Sequence, residues 1–384
     1  MVCYAGVVVN AGSRDEPNTQ QGLAHFVEHT IFKGTSRRSS WHISNRMETV
    51  GGELNAYTTK EETVIYANAP AGYSERALEL IADLVKNASF PGKEIEKERE
   101  VIIEEIHSYQ DSPSDSVFDE FEELIYAGSD LAHNILGTPE SVRRLTPADA
   151  RSFIENHYTA GNLVVYCCGP KNPDRLMKKI ARYFSDIPAG NTTNGRPIPQ
   201  LAPVFDEKRD RGNHQANTIA GVRLFGRNDP RRHALFLLNN YLGGPCMNSR
   251  LNLELRERRG LVYTVESSIA LMSNAGTMMV YFGTDPADVR KCLALINREI
   301  ERLAASEIPE RAFSRIREQY CGQLIVGSDN MENRAMSLAK SISYYNEIHD
   351  LDYTAAMMRD VTATQVREIA GLIAEHGLSS LSIC

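Results

Sequence analysis

The sequence predicts an α+β protein made of two similar domains, each with a mainly antiparallel sheet flanked by helices. The first observation is an internal repeat at an offset of about 215 residues, in which Ala-Gly-Val at 5–7 recurs at 220–222. The second is a segment rich in Pro, Gly and Asn at 188–204, which is typical of a linker. The third is the pattern of paired strands and grouped helices, which favours antiparallel sheets over a doubly wound parallel sheet.

The elements of the two halves follow the same order. Each half begins with an apolar strand, continues through a helix and a strand pair, and then carries amphipathic helices. Near the end of each half a threonine, Thr146 or Thr362, is placed to cap a helix, and a short strand closes the half. We therefore predict an N-terminal domain at 1–187, a linker at 188–204 and a C-terminal domain at 205–384.

Composition excludes several classes of protein. The 384-residue chain is 42% apolar and 24% charged, as in ordinary globular proteins, and its formal net charge of -8 provides no basic field for nucleic acid. No apolar run approaches the roughly 18 residues needed for a membrane span. Seven scattered cysteines without a CxxC pair indicate reduced thiols, which favours the cytoplasm.

A short motif, His-Phe-Val-Glu-His at 25–29, lies on a predicted helix that is capped by Asn18 or Thr19 and ended by Gly34. At 100° per residue, the second histidine lies about 40° from the first and the glutamate about 60° on the other side. The three side chains therefore project together from one face of the helix.

Two imidazoles one turn apart can bind zinc while the carboxylate between them acts on a water at the open position. In this reading His25 and His29 are metal ligands, and Glu28 is the general base of an inverted zincin, H-x-x-E-H. Taken alone, the motif also fits a helix with two solvated or capped histidines.

A third ligand is predicted on the helix at 92–110. Glu98, Val101, Ile102 and Glu105 share one stripe that should face the core. Carboxylates are costly to bury without a cation or a hydrogen-bond partner. We therefore expect Glu105 to bind the metal and Glu98 to orient a ligating histidine. The solvated face of this helix should hold the other glutamates, Glu94, Glu96, Glu100 and Glu104.

The motif followed by a glutamate 76 residues later (105 minus 29), with another glutamate seven residues before it, resembles the pitrilysin/insulysin family. This family of inverted zincins includes mitochondrial processing peptidase, and the chain resembles most its short two-domain bacterial members, which are similar to the beta subunit of that peptidase. The resemblance covers essentially the whole chain. It implies the processing peptidase-like metallohydrolase fold and one Zn²⁺ per chain on His25, His29 and Glu105, with Glu28 as base and Glu98 in support.

The resemblance extends to residues that would contact substrate. Asn55 and Ala56 match a family edge strand that accepts an extended peptide by β-augmentation, although an ordinary hairpin strand is the alternative. In the second half, Arg256 and Tyr263 match a family pair that binds substrate and stabilises the oxyanion. The second half has no H-x-x-E-H motif, so we expect one metal site per chain.

The expected activity is that of a zinc metalloendopeptidase that cleaves peptides or unfolded segments by Glu-assisted attack of zinc-bound water. One alternative is a noncatalytic structural or partner subunit of a processing peptidase-like complex, and another is a metal-dependent binding protein. The resemblance implies a dimer in which Arg256 and Tyr263 reach the zinc of the partner. A homodimer is favoured and a heterodimer is the alternative.

We expect a bacterial, cytoplasmic protein. Family members usually begin with an additional hairpin strand that does not precede the first strand here, so a missing N-terminal segment and a periplasmic or organellar location form the alternative.

Overall fold

The structure is a computed structural model that describes residues 1–169, 172–190, 193 and 195–384. Positions 191, 192 and 194 of the predicted linker therefore lie outside the described residues. The strands are β1 Val2–Val9, β2 Glu53–Thr58, β3 Thr63–Pro70, β4 Leu163–Cys168, β5 Asp206–Arg209, β6 Ala216–Leu224, β7 Val262–Leu271, β8 Gly276–Thr284 and β9 Ser379–Ile383. The α-helices are α1 Leu23–Ile31, α2 Ser40–Glu48, α3 Ser74–Asn87, α4 Gly92–Gln110, α5 Pro113–Ile125, α6 Pro139–Arg144, α7 Pro147–His157, α8 Pro173–Phe184, α9 Arg232–Gly243, α10 Val289–Ala305, α11 Glu310–Ser328, α12 Met331–Tyr345, α13 Leu351–Asp360 and α14 Ala363–His376.

The chain forms two compact units that are interleaved in sequence. The first unit contains Met1–Ser108, His133–Arg196 and Ser328–His349, and the second contains Tyr109–Ala132, Pro197–Gly327 and Asp350–Cys384. The second unit thus includes residues 109–132 from the first half of the sequence. The first unit includes residues 328–349 from the second half. The predicted domain boundaries were based on the sequence repeat, and they remain a prediction: 1–187, 188–204 and 205–384.

The first unit is built on a four-stranded antiparallel sheet in the order β2-β3-β1-β4. Alternate residues of the central strand β1, from Cys3 to Val9, are buried in the main core with α1, α3 and α4. Val8 faces the other side of the sheet, where it joins Val64 and Ala339 of α12 in a second cluster. The apolar run of β1 is therefore explained by burial on both faces.

The second unit repeats this order and adds one strand. Its sheet has the order β5-β9-β6-β8-β7, in which β6, β7, β8 and β9 occupy the positions of β1, β2, β3 and β4. All pairs are antiparallel except β5 with β9, which is parallel. The prediction of an α+β fold with mainly antiparallel sheets flanked by helices is confirmed.

The segment that the second unit takes from the first half is α5 with the residues that follow it. Phe121 is fully buried there with Ile219 and Leu381, and the Tyr126 hydroxyl lies 2.5 Å from Thr277 Oγ1. A Cβ at Gly221 would meet the Phe121 ring at 2.7 Å, so the glycine leaves room for the aromatic ring. The repeated Ala-Gly-Val sequence of β6 thus serves the packing of a helix that is distant in sequence.

The segment that the first unit takes from the second half is α12. Lys340 forms an ion pair with the buried Glu62, which also accepts a hydrogen bond from Tyr344. The Tyr57 hydroxyl contacts Met336 Sδ at 3.0 Å. These contacts hold α12 on the face of the first sheet opposite the main core.

The two predicted threonine caps are confirmed. Thr146 and Thr362 each accept a hydrogen bond from the backbone N–H three residues later and complete a capping box at the start of α7 and α14. Across the described part of the chain, every helix is too short or too polar to cross a membrane.

Candidate metal centre

The helix that carries the metal motif begins later than predicted. α1 starts at Leu23, with Gly22 in the left-handed region at φ +87°, and neither Asn18 nor Thr19 caps it. The Glu16 carboxylate, buried beneath the helix start, accepts hydrogen bonds from Gly22 N at 2.8 Å and Ala24 N at 2.7 Å. A carboxylate from outside the helix therefore satisfies its first N–H groups.

The end of α1 was also predicted incorrectly. The helix ends at Ile31 with Phe32 as its C-cap, so Gly34 does not end it. α1 is therefore a short helix of 9 residues in which the motif occupies the centre.

The three motif side chains converge as their spacing predicts. Potential ligand atoms of His25, Glu28 and His29 lie within 4.8 Å of one another. The two imidazole rings meet edge to face, with centroids 4.5 Å apart. His25 is buried, while Glu28 and His29 are half-buried. The cluster is thus accessible from one side, as a site that acts on a substrate needs to be.

Glu105 of α4 completes a triangle of donor atoms. Its Oε2 atom lies 3.3 Å from His29 Nε2 and 3.7 Å from His25 Nε2. Zinc bonds of about 2.0–2.2 Å in a tetrahedron place neighbouring ligand atoms about 3.3–3.6 Å apart. Both distances are close to that range, so the position of the Glu105 carboxylate relative to each imidazole suits a shared zinc ion.

Glu98 lies on α4, as Glu105 does, and contacts the ring nitrogen of His29 that points away from Glu105. Its Oε1 atom is 3.1 Å from His29 Nδ1, and its Oε2 atom is 2.7 Å from Lys33 Nζ. A hydrogen bond at Nδ1 fixes the ring so that Nε2 faces Glu105. Lys33 was not predicted to belong to the site, although it lies four residues after His29 and so on the same face of the helix that was predicted to end at Gly34.

One member of the predicted stripe on α4 does not face the core. Val101 is 51% exposed, whereas Ile102 is fully buried. Val101 lies about 60° around the helix from Glu98, at the margin of the stripe. The two carboxylates therefore line a narrower apolar strip than predicted.

His25 has no equivalent support at its other ring nitrogen. Nδ1 of His25 is buried and has no hydrogen-bond partner among the described residues. Burial, followed by the neighbouring His29, lowers the pKa of His25 to about 4. The imidazole is therefore neutral near pH 7, which is the form that binds a metal.

The pKa values of the other two ligand candidates, His29 and Glu105, shift in opposite directions. Burial favours neutral His29, but contacts with Glu105 and Glu98 outweigh it and raise the pKa of His29. The same contact with His29 lowers the pKa of Glu105 despite partial burial. Glu105 is thus an anion near pH 7, and together with the two imidazoles it forms a donor set of the type that zinc prefers.

Glu28 lies on the side of α1 that packs against β2. Burial raises the pKa of the Glu28 carboxyl above its ordinary value, and the polar groups of Thr58 at the end of β2 oppose this rise. A carboxyl whose pKa is shifted toward neutrality is suited to proton transfer. Thr58 belongs to no motif, so the sequence carries no signal for its position beside Glu28.

Asn55 and Ala56 lie on β2, the edge strand of the first sheet. Asn55 is exposed, and its side-chain oxygen accepts a hydrogen bond from the Ala56 backbone N–H at 2.9 Å. Among the described residues β2 pairs only with β3, so its other edge has backbone groups that an extended chain could pair with.

Arg256 and Tyr263 belong to the second unit. Arg256 lies in a π-helix, Asn252–Glu257, and its side chain is exposed. Tyr263 lies on the edge strand β7 at a shift in register between Val262 and Thr264, and it is 78% exposed. Bulges and π-turns often redirect functional side chains. The sequence predicted these residues by resemblance and did not predict either irregularity.

The fold and the donor set define a class of protein: an α+β chain with two repeated units and a His-His-Glu triangle beside the half-buried carboxyl group of Glu28. Residues 1–139 match the family described as Insulinase (Peptidase family M16), and residues 144–320 match the Peptidase M16 inactive domain. The chain belongs to peptidase family M16, as the resemblance to insulysin and its relatives predicted.

Curated relatives bear the names of zinc proteases. The chain is 33% identical over 377 residues to an uncharacterized zinc protease of Mycobacterium tuberculosis, covering 95% of this chain and 84% of that protein. It is 29% identical over 369 residues to the uncharacterized zinc protease YmxG of Bacillus subtilis, covering 96% and 88%. These names support a peptidase in general terms.

Solved structures show the same fold. A peptidase M16 inactive domain from Pseudomonas fluorescens has a TM-score of 0.90 at 19% identity and matches 100% of this chain and 92% of that one. A protease from Helicobacter pylori has a TM-score of 0.88 at 20% identity, with 100% and 94% covered. At these identities the likeness concerns the fold alone.

Proposed function

We propose that this protein is a zinc metalloendopeptidase that hydrolyses peptides or unfolded segments, with one zinc ion per chain on His25, His29 and Glu105. The observation that carries the proposal is the position of Glu105 Oε2, at 3.3 and 3.7 Å from the two Nε2 atoms. Zinc held by these ligands supplies a Lewis acid that polarises a carbonyl group and makes water more acidic.

The chain supplies the proton transfers through Glu28. Its carboxylate takes a proton from the attacking water and returns it to the leaving amine. The raised pKa of Glu28 supports the first step, because burial makes its carboxylate a stronger base for the water proton. Glu98 contributes by holding His29 in one orientation.

The substrate is expected to lie along β2. An extended peptide that pairs with the edge strand at Asn55 and Ala56 is recognised mainly through its backbone, which suits loose sequence preference. The Asn55 side chain already engages one backbone N–H of this strand. Binding therefore includes rotation of Asn55 toward the incoming chain.

Arg256 and Tyr263 are proposed to stabilise the oxyanion of the tetrahedral intermediate. Both side chains are exposed, and the described residues form no hydrogen bond or ion pair with either of them. Arg256 on the π-helix and Tyr263 on the irregular start of β7 are therefore available to donate to a substrate. In the homodimer that we propose, these residues serve the metal centre of the partner copy, and a heterodimer would use them in the same way.

The proposed domain roles follow from this arrangement. Residues 1–187 form the peptidase domain, 188–204 the linker, and 205–384 an inactive repeat that provides substrate-binding residues. The scattered thiols support a cytoplasmic location, since this composition is typical of reducing compartments.

Zinc content and peptide cleavage together test the proposal. We expect one zinc per chain in wild type and in Glu28→Gln, because Glu28 is not a ligand, and loss of zinc in Glu105→Ala. Cleavage of a quenched peptide should fall about 10²- to 10⁴-fold in Glu28→Gln. Glu104→Gln, an exposed position on the same helix as Glu105, is the matched control and should behave as wild type.

The alternatives give different results. Full zinc content with no cleavage of varied peptides by wild type would favour a metal-dependent binding protein. Absence of zinc, with stable association in a larger complex, would favour a noncatalytic partner subunit and contradict the proposal.

A further inference from the structure

Away from the candidate metal centre, two thiols lie side by side in the first sheet. The Sγ atoms of Cys3 on β1 and Cys167 on β4 are 3.3 Å apart, although 164 residues separate them in the chain. Both cysteines are free. A disulfide bond joins sulfur atoms at about 2.05 Å, so the two atoms need to approach by only about 1.3 Å.

The strand register accounts for this proximity. Ala5 pairs with Cys167, so Cys3 is the diagonal neighbour of Cys167 on the same face of the sheet. At Gly169, which follows β4, an added Cβ would meet the carbonyl oxygen of Val2 at 2.3 Å. The backbones therefore approach closely at the end where the thiols meet.

The surroundings distinguish this pair from an inert buried cysteine. Cys3 is 1% exposed within the main core, whereas Cys167 packs at its edge and is half-buried. A small oxidant can therefore approach from the Cys167 side. Interaction with the Cys167 thiol, aided by Ser74, lowers the pKa of Cys3 against the effect of burial, which favours loss of the Cys3 proton during attack on an oxidant.

We propose that Cys3 and Cys167 are a modification site: they form a reversible disulfide bond when the protein meets a peroxide. The Cys3 thiolate attacks one peroxide oxygen, so an S–O bond forms, the O–O bond breaks and hydroxide leaves. The Cys167 sulfur then attacks the Cys3 sulfenic acid, so the S–S bond forms and the S–O bond breaks. The two thiol protons end on the two departing hydroxides, which gives two waters for one peroxide reduced.

The bond would fasten the edge strand β4 to the central strand β1. A cross-link that closes a loop of this length restricts the unfolded chain strongly, and we expect the melting temperature to rise on the order of 5–10 °C. In a reducing compartment the bond would be transient and would be reversed by a dithiol.

Cys168 provides a matched control. It is adjacent to Cys167 in sequence, but successive side chains of a strand point to opposite faces, so it cannot reach Cys3. The full-length protein, purified with its metal, is treated with equimolar hydrogen peroxide, alkylated and analysed by intact mass and peptide mapping. We expect wild type and Cys168→Ser to lose two hydrogens, to carry two fewer alkyl groups and to yield a Cys3–Cys167 linked peptide, all reversed by dithiothreitol.

Cys167→Ala should show neither the link nor the rise in melting temperature. This variant changes a half-buried residue, so folding is expected to persist, and Cys3→Ala is the second variant. The inference is overturned if wild type retains all its alkylatable thiols, if either sulfur is oxidised further without a link, or if the mapped link joins other cysteines. None of these readouts depends on peptidase activity.

Discussion

Replacement of Glu98 by alanine is expected to weaken zinc binding without removing a ligand. The hydrogen bond from His29 Nδ1 to Glu98 Oε1 is 3.1 Å long and largely shielded, because the Glu98 side chain is only 13% exposed. Loss of such a partner costs about 10- to 100-fold in metal affinity. Lys33 already neutralises part of the Glu98 charge, so we expect the lower end, about 10- to 30-fold. This corresponds to roughly 1.4–2 kcal/mol.

The assay is a competition titration with a chromophoric zinc chelator at constant pH. Glu98→Gln keeps an oxygen acceptor for Nδ1 and should lose less affinity than Glu98→Ala. Glu100→Ala, exposed on the same helix, controls for a general change in charge. A loss below threefold in Glu98→Ala, or an equal loss in Glu100→Ala, would refute the view that Glu98 orients a ligand.

Three further substitutions test other parts of the structure. Tyr263→Phe removes one donor to the oxyanion and should lower kcat about 10²-fold with zinc content unchanged, whereas wild-type kinetics would remove Tyr263 from the mechanism. Phe121→Ala leaves a cavity in the second unit and should lower the free energy of unfolding in urea by about 3–5 kcal/mol; a loss below about 1 kcal/mol would contradict its burial. Lys340→Met leaves Glu62 without its cation and should destabilise the first unit by roughly 3 kcal/mol, measured by thermal unfolding, while an unchanged melting temperature would count against that ion pair.

The parts of the site that sequence could predict depend on local periodicity. Helical spacing alone places His25, Glu28 and His29 on one face, and the same spacing on α4 places Glu98 and Glu105 together. Burying two carboxylates is costly unless a cation or hydrogen-bond partner faces them, so the sequence also predicts that α4 lies beside the histidines of α1. The structure brings these five side chains together, and their chemical roles remain predictions.

The parts that sequence could not predict depend on contacts between distant residues. The start of α1 is set by Glu16, which lies outside the helix and has no cap signature of its own. The placement of α5 and α12 could not be inferred, because an amphipathic helix can pack on either of two similar sheets. The irregularity of β7 at Tyr263 is a shift in its pairing with β8, which is visible only in the register of the two strands.

The exchange of α5 and α12 has a consequence for the order in which the protein can fold during synthesis. The first sheet is complete once β4 has left the ribosome, but the helix that covers its second face ends at residue 345. Val8 and Val64 therefore lack the cover of Ala339 and Met336 on α12 until nearly the whole polypeptide has been translated. Conversely, α5 emerges about a hundred residues before β6, the strand that it packs against. The nascent chain thus exposes apolar surface for most of its elongation, and the demand for chaperone binding should be greatest in that interval.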